Sequence, residues 1–318
     1  MSTRADDLID RRRLRRKLTF WRVAVFLILG VILVVAGRWL FGDALTGTSH
    51  IARVHINGAI TGDEEMLDLL KRLRESEAAQ GAIITVDSPG GTTVGGEAYF
   101  EEIRRLADEK PVVAQIGTLG TSAGYMVASA ADHIVARQSS IVGSIGVIVQ
   151  YPDVTELLDK LGIQVEEVKS SPLKAEPSPF NPTTDEERQM LGSMVRDSYD
   201  WFVDIVTARR PLSRQEVLTL ADGAVFTGRQ AMDNKLVDSV GGPEEAKNWL
   251  VSQGLSEELN IVEWKPRDTE GSLFLPGIAG TWLAGLFGIP TAEDLLRQVG
   301  AERLFLDGLL SVWQPEKS

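Results

Sequence analysis

The sequence contains no cysteine and only three histidines among its 318 residues. The absence of cysteine excludes disulfides, thiolate nucleophiles and cysteine-ligated metal sites. The three histidines, His50, His55 and His133, leave few ways to build a histidine-based catalytic triad or a zinc site. Enzymatic chemistry in this chain must therefore depend on other side chains, and we expect neither a metal nor a cofactor.

Positive charge is scarce outside the beginning of the chain. Residues 1–22 carry eight lysines and arginines against three aspartates, although the whole chain has a net charge of −12. The remainder is therefore strongly acidic. Because nucleic-acid binding depends on basic contacts to phosphates, this charge balance argues against nucleic acid as a partner.

Long uncharged apolar runs are also rare, and the clearest one follows the basic residues directly. Residues 23–37 contain no charged side chain, and with their neighbours they make a stretch at 18–41 that is long enough to cross a bilayer. We expect a transmembrane anchor there, with residues 1–17 as a basic cytoplasmic tail and the rest of the chain exported. A cleaved secretory signal is the alternative, but Arg38 and Trp39 follow the run where small residues would be needed.

Strand and helix patterns alternate along the exported part, which predicts an α/β fold. The expected strands lie at 52–58, 82–88, 111–117, 133–136, 144–151 and 163–170. Capping boxes at Thr61-x-x-Glu64 and Thr184-x-x-Glu187 predict two helix starts. We expect one domain over residues 50–265, followed at 266–318 by a segment that contacts another subunit or the membrane surface.

Three short motifs could carry chemistry. The glycines of Pro89-Gly90-Gly91 let the backbone turn and present N–H groups as an oxyanion hole requires, although most such turns only connect a strand to a helix. Ser122 stands at a helix start, where a serine is either a nucleophile or a simple N-cap. Lys174 lies between prolines, and most lysines are solvated surface residues. None of the three decides the function alone.

Together these motifs resemble the bacterial signal peptide peptidase A family, also called protease IV. The resemblance covers roughly residues 50 to 250. Its motifs are Asp87-Ser88-Pro89-Gly90-Gly91, Gly120 to Tyr125, Gly143 to Val147, Lys174, Asp222 to Ala231, and Leu236 to Asp238. The family resemblance implies a half-length, membrane-anchored form, with a Clp/crotonase-like core of repeated ββα units behind an N-terminal transmembrane helix, and a homo-oligomeric ring of subunits.

The resemblance also implies roles for single residues. Ser122 matches the nucleophile, Lys174 the general base, and Ser144 the serine that hydrogen-bonds the lysine, while the backbone N–H groups of Gly91 and Ser122 form the oxyanion hole. A serine hydroxyl needs a positioned base, and a lysine can act as one when desolvation in an apolar cleft keeps it neutral. The implied substrates are remnant signal peptides or other exported peptides.

Three alternatives stay open at the level of sequence. His133 follows Ser122 closely enough to suggest a Ser–His peptidase, although a structural role in a strand is the simpler interpretation. The Pro-Gly-Gly turn would also suit a crotonase-like acyl-CoA enzyme, but an exported location does not. A membrane-anchored scaffold without activity could keep the same fold.

The charge asymmetry generates a prediction about topology. If residues 1–17 are cytoplasmic and the body is exported, protease added to spheroplasts should degrade the body and leave an N-terminal tag intact. Protection of the body together with loss of the tag would contradict this orientation.

Overall fold

The computed structural model describes residues 21–33, 48–266 and 310–312. By its internal contacts the chain divides into two units, Met1–Ser49 and His50–Ser318. In the first unit, residues 21–33 form helix α1, whose side chains are mostly exposed. Among the residues described, no helix is both long and apolar enough to cross a membrane. The predicted anchor at 18–41 lies partly outside these residues and stays a prediction.

The second unit alternates strands and helices along most of its length. Its strands are β1 (His50–Ile60), β2 (Ala79–Thr92), β3 (Val112–Thr121), β4 (His133–Ala136), β5 (Ile141–Gly143), β6 (Val225–Thr227), β7 (Ser239–Val240), β8 (Asn260–Trp264) and β9 (Leu310–Val312). Its helices are α2 (Glu64–Glu75), α3 (Thr93–Ala107), α4 (Ala123–Ser129), α5 (Thr155–Leu161), α6 (Asp185–Arg209), α7 (Arg214–Leu220), α8 (Gly228–Asp233) and α9 (Pro243–Ser252).

The strands form one mixed sheet. Strands β8, β1, β2 and β3 lie side by side and run parallel. Beyond β3 the sheet divides, because the first half of β3 pairs with β4 and its last three residues pair with β5. Strand β7 continues parallel to β4, β6 lies antiparallel to β5, and β9 lies antiparallel to the end of β2. The mixed α/β class predicted from the sequence is confirmed.

Apolar side chains cover both faces of the sheet, as parallel strands require. Alternate residues of the central strands point to opposite faces, so Ile84 and Val86 join one core while Ile83 joins the other. The larger core is closed by α2, α3, α4 and α6, and the smaller by Ala246 and Leu250 of α9. The helices therefore hold the sheet from both sides.

Two predicted strands are wrong. Residues 144–147 are irregular and Ile148 makes only an isolated bridge, while residues 163–169 have no regular secondary structure and are mostly exposed. Both segments have the apolar alternation of a strand, but no neighbouring strand in the described part of the chain offers them an edge. Without a ladder partner, alternation alone does not make a strand.

The two predicted capping boxes have opposite outcomes. At the start of α6, Thr184 and Glu187 exchange both bonds of the box, so that prediction is confirmed. The box at Thr61 is wrong, because α2 begins at Glu64 with Asp63 as its N-cap residue. The Thr61 hydroxyl donates to Asp63 Oδ1 at 2.6 Å and does not accept from the helix.

A buried ion pair ties the end of α6 to the sheet. The Arg210 guanidinium donates to both carboxylate oxygens of Asp238, at 2.9 and 2.8 Å. Asp238 Oδ2 also accepts the backbone N–H of Ile134 in β4 at 2.8 Å. The Arg210 side chain is only 5% exposed, so removal of its partner would leave an uncompensated charge inside the protein.

We therefore predict that Asp238→Asn lowers the free energy of unfolding by about 3 kcal/mol, the lower end of the range for a broken buried pair. The matched control is Asp204→Asn, which breaks the exposed pair with Arg214 at a similar 2.9 Å and should change little. Urea unfolding followed by circular dichroism measures both. Equal losses in the two variants would show that burial of Arg210 is not the cause.

Candidate active site

The site begins with a bulge in β3. Along the β2–β3 ladder, Val86 pairs with Ile116, but Ser88 two residues later pairs with Gly120. Residues 117–119 therefore lie opposite the single residue Asp87, so β3 carries two extra residues here, and such an insertion bends a strand. The bulge separates the part of β3 that pairs with β4 from the part that pairs with β5, and it sets the direction in which β3 ends.

Asp87 stabilises this bulge. Its carboxylate accepts the backbone N–H groups of Thr118 at 3.3 Å and Leu119 at 3.1 Å, which have no ladder partner on β2. Residue 117 is a glycine because a Cβ there would lie 2.9 Å from the Asp87 carboxylate. The Ser140 hydroxyl donates to the Gly117 carbonyl from the other side. Sequence reasoning listed Asp87 in a motif but missed this role, although an acidic residue at the end of a buried apolar strand was a signal.

Ser122 follows β3 in a strained backbone conformation. Its φ of 57° and ψ of −123° lie outside the regions that non-glycine residues favour. The residue is 1% exposed, and its backbone N–H donates to the carbonyl of Gly143 in β5 at 2.8 Å. Its side chain does not cap α4. The N-cap interpretation of Ser122 therefore fails, and the strain resembles that of nucleophiles on a sharp strand-to-helix turn.

The same hydrogen bond bears on the expected oxyanion hole. We expected the Ser122 N–H to face a substrate, but in the structure it is engaged with Gly143 at the edge of β5. The next N–H along the chain belongs to Ala123, the first residue of α4. A first-turn N–H has no carbonyl partner within its own helix, so the geometry favours Ala123 over Ser122 as a donor.

Gly90 and Gly91 lie within β2, which continues past the turn predicted to end it. Gly90 has a φ of +117°, which favours glycine. Its N–H donates to the hydroxyl of the fully buried Ser88 at 3.1 Å. Gly91 is parallel-paired with Ile60, and a Cβ at Gly91 would lie 1.9 Å from the Ile60 carbonyl oxygen. Only glycine fits this position.

The edge formed by Gly90 to Thr92 accepts an extended chain. Strand β9 pairs with it in antiparallel register, Gly90 opposite Val312 and Thr92 opposite Leu310. Because Ser88 on β2 pairs with Gly120 on β3, this edge and Ser122 both lie at the carboxyl ends of neighbouring strands. The arrangement places a strand-binding edge next to the strained serine.

Ser144 lies directly after β5, beside the same end of the sheet. It has a positive φ of 49°, and its N–H donates to the Ala224 carbonyl at 2.7 Å. Asp222 Oδ1 accepts the Ala224 N–H at 2.9 Å, and Val225 pairs with Gly143 across β5 and β6. The motif that begins at Asp222 therefore stabilises β5, and β5 in turn holds the backbone of Ser122.

Lys174 lies in an exposed turn, within a segment that we call the lysine arm (residues 151–182). Its backbone N–H donates to the Ser171 carbonyl at 3.1 Å. Among the residues that the structure describes, no hydrogen bond joins Lys174 to Ser122. The structure thus brings Ser122, Gly91 and Ser144 to one edge of the sheet, whereas the contact it shows for Lys174 is within the lysine arm.

His133 is a structural residue in this fold. It pairs with Val113 at the start of the β3–β4 ladder, whereas Ser122 follows the other end of β3, nine residues beyond Val113. His133 stacks on Trp249 with ring centroids 5.0 Å apart and bonds the Ser239 hydroxyl at 2.9 Å. Burial lowers the pKa of His133. These contacts support the structural interpretation over the Ser–His alternative.

Comparisons with known proteins point to one family. The family model described as peptidase family S49 matches residues 104–254. A Synechocystis protein whose name marks it as a candidate protease is 36% identical over 219 residues, which are 67% of this chain and 79% of that protein. An Enterococcus faecium protein, named as a candidate signal peptide peptidase SppA, is 30% identical across 73% of this chain and 70% of that protein.

A longer relative is also similar. Protease 4 of Haemophilus influenzae is 31% identical over 229 residues, which are 67% of this chain but only 37% of that protein. This match fits the expectation that the chain is a half-length form.

Proposed function

We propose a serine–lysine mechanism for this chain, which belongs to the signal peptide peptidase A family and is a serine peptidase. The observation that carries the proposal is the backbone of Ser122, which is strained, buried and held by β5 without capping α4. Strain of about 1–3 kcal/mol persists where the surrounding structure imposes it, most often at functional residues. The nucleophile of this peptidase is therefore Ser122.

In the proposed reaction the neutral amine of Lys174 takes the proton of the Ser122 hydroxyl as Oγ attacks the substrate carbonyl carbon. Backbone N–H groups of the Gly91 region and of Ala123 stabilise the oxyanion. Lys174 then gives the proton to the leaving amine as the peptide bond breaks, and water hydrolyses the acyl-enzyme in the same way. Ser144 holds the Lys174 amine in place between these steps.

The proposed substrates are extended peptides, with remnant signal peptides as the first candidates. The edge at Gly90 to Thr92 already pairs with β9 in antiparallel register, and a substrate strand can bind a sheet edge in the same way. This pairing favours a peptide over the thioester of an acyl-CoA enzyme. Signal peptides are proposed because the Enterococcus faecium relative is named as a signal peptide peptidase, and misfolded exported proteins are the alternative substrates.

We propose in addition that the active species is a homo-oligomeric ring. Lys174 is exposed on the lysine arm, yet a lysine base must be desolvated to stay neutral. The arm also exposes large apolar side chains, which a neighbouring subunit could cover. They are Tyr151, Leu157, Leu161, Ile163, Val165, Val168 and Phe180. The N-terminal segment at 18–41 would anchor this ring to the membrane.

The mechanism predicts that Ser122→Ala and Lys174→Arg each lower kcat for a small-residue peptide by about 1000-fold or more. Arginine keeps the charge and length of lysine but stays protonated, so it cannot act as a base. In the wild-type protein the rate should rise with pH as the amine loses its proton. Initial rates of a fluorogenic peptide measure each effect, and circular dichroism checks the fold.

The control is His133→Ala, which should keep most of the activity because His133 lies at the other end of β3. Wild-type turnover by Lys174→Arg would refute the proposed base. Loss of activity in a folded His133→Ala protein would favour the Ser–His alternative, and wild-type turnover by Ser122→Ala would remove Ser122 from the mechanism.

A further inference from the structure

The lysine arm contains a second lysine close to the proposed base. Lys169 forms ion pairs through Nζ with the carboxylates of both Glu167 and Glu176. The side chains of Lys169 and Glu176 are only 21% and 7% exposed, although the arm around them is largely solvated. The chain leaves this cluster at Lys169 and returns to it at Glu176, so the ion pair closes a short loop that carries Lys174.

Hydrogen bonds also hold the two ends of this loop together. The Ser178 hydroxyl donates to Glu167 Oε1 at 3.0 Å, and its backbone N–H donates to Glu176 Oε2. The Phe180 N–H donates back to the Ser178 hydroxyl at 3.3 Å. Both carboxylates therefore have partners besides Lys169. Within the loop, Ala175 has a positive φ of 63° next to Lys174, a conformation that needs support from its surroundings.

We infer that Lys169, clasped between Glu167 and Glu176, is a positioning residue that fixes the loop from which Lys174 acts on Ser122. The inference rests on the proposed function, because it needs Lys174 as the base. A positioned base is worth most when its geometry is set before the reaction, since a displacement of about 1 Å can cost about 100-fold in rate.

The charges of these three residues, Lys169, Glu167 and Glu176, which we call the clasp, support this assignment. The hydrogen bonds that Lys169 donates to the carboxylates of Glu167 and Glu176 raise the pKa of Lys169, and its bond to Glu167, together with that of Ser178, lowers the pKa of Glu167. Lys169 is thus held as a cation and is unsuited to be a base. It also neutralises the two carboxylates that it bridges.

The test compares Lys169→Met with Lys169→Arg. Methionine removes the charge, so kcat should fall by about 10- to 100-fold while KM changes little, because Lys169 does not touch the peptide edge at Gly90 to Thr92. Arginine can bridge both carboxylates but cannot act as a base, so Lys169→Arg should stay within about threefold of wild type.

The matched control is Lys160→Met in α5 of the same arm. Lys160 lies 3.9 Å from Glu156, and both side chains are more than three-quarters exposed, at 76% and 93%. Its removal deletes the same charge without opening a clasp, and kcat should not change. A fall in Lys160→Met equal to that in Lys169→Met would overturn the inference, because any loss of charge in the arm would then suffice.

The remaining outcomes separate the two proposals. Wild-type kcat in Lys169→Met would overturn the clasp and leave the Lys174 mechanism untouched. Equal inactivity of folded Lys169→Met and Lys169→Arg would show that the Lys169 amine itself is needed, which also overturns a positioning role. Activity in Lys174→Arg would instead refute the proposed base, whatever Lys169 does.

Discussion

The bulge in β3 is the constraint on which the candidate site depends. It places residues 117–119 of β3 opposite the single residue Asp87 of β2. The Asp87 carboxylate accepts the N–H groups of Thr118 and Leu119, which have no ladder partner on β2. The bend divides the partners of β3 between β4 and β5. Because β5 then lies beside the end of β3, the Gly143 carbonyl can bind the Ser122 N–H and hold that residue at a positive φ.

This arrangement explains several other features of the sheet. Strand β6 braces β5 from its outer side, and Gly143 pairs with Val225 across that contact. The neighbouring edge of β2 stays close to β1 because Gly91 leaves room for the Ile60 carbonyl. The sheet thus fixes the proposed nucleophile Ser122 and the edge at Gly90 to Thr92, whereas the proposed base Lys174 lies on the exposed lysine arm.

Parts of this fold could be predicted from sequence where the residues that determine an element lie close together in the chain. The strand at 133–136 and the capping box of Thr184 and Glu187 are examples. The strands predicted at 144–151 and 163–170 failed because an alternating pattern does not reveal whether a sheet edge is available. The positive φ of Ser122 depends on a hydrogen bond to β5 across the sheet, so no property of residues 117–124 could predict it.

The family motifs contain the candidate site residues but do not show what each residue does. Asp87 and Asp222 stand in those motifs, and their carboxylates accept backbone N–H groups. The engagement of the Ser122 N–H with Gly143 likewise required coordinates, because a motif gives residue identity without direction. The ion pairs of Lys169 with Glu167 and Glu176 likewise required coordinates, because no motif indicated them.

The central claim is that Ser122 is a nucleophile activated by Lys174. Its most direct test is the rate at which a serine-directed fluorophosphonate modifies the full chain, with the modified residue located by peptide mass spectrometry. The account predicts a single adduct on Ser122 that forms faster as pH rises and does not form in folded Lys174→Arg. An adduct on a different serine, or labelling of Ser122 at the wild-type rate in Lys174→Arg, would contradict it.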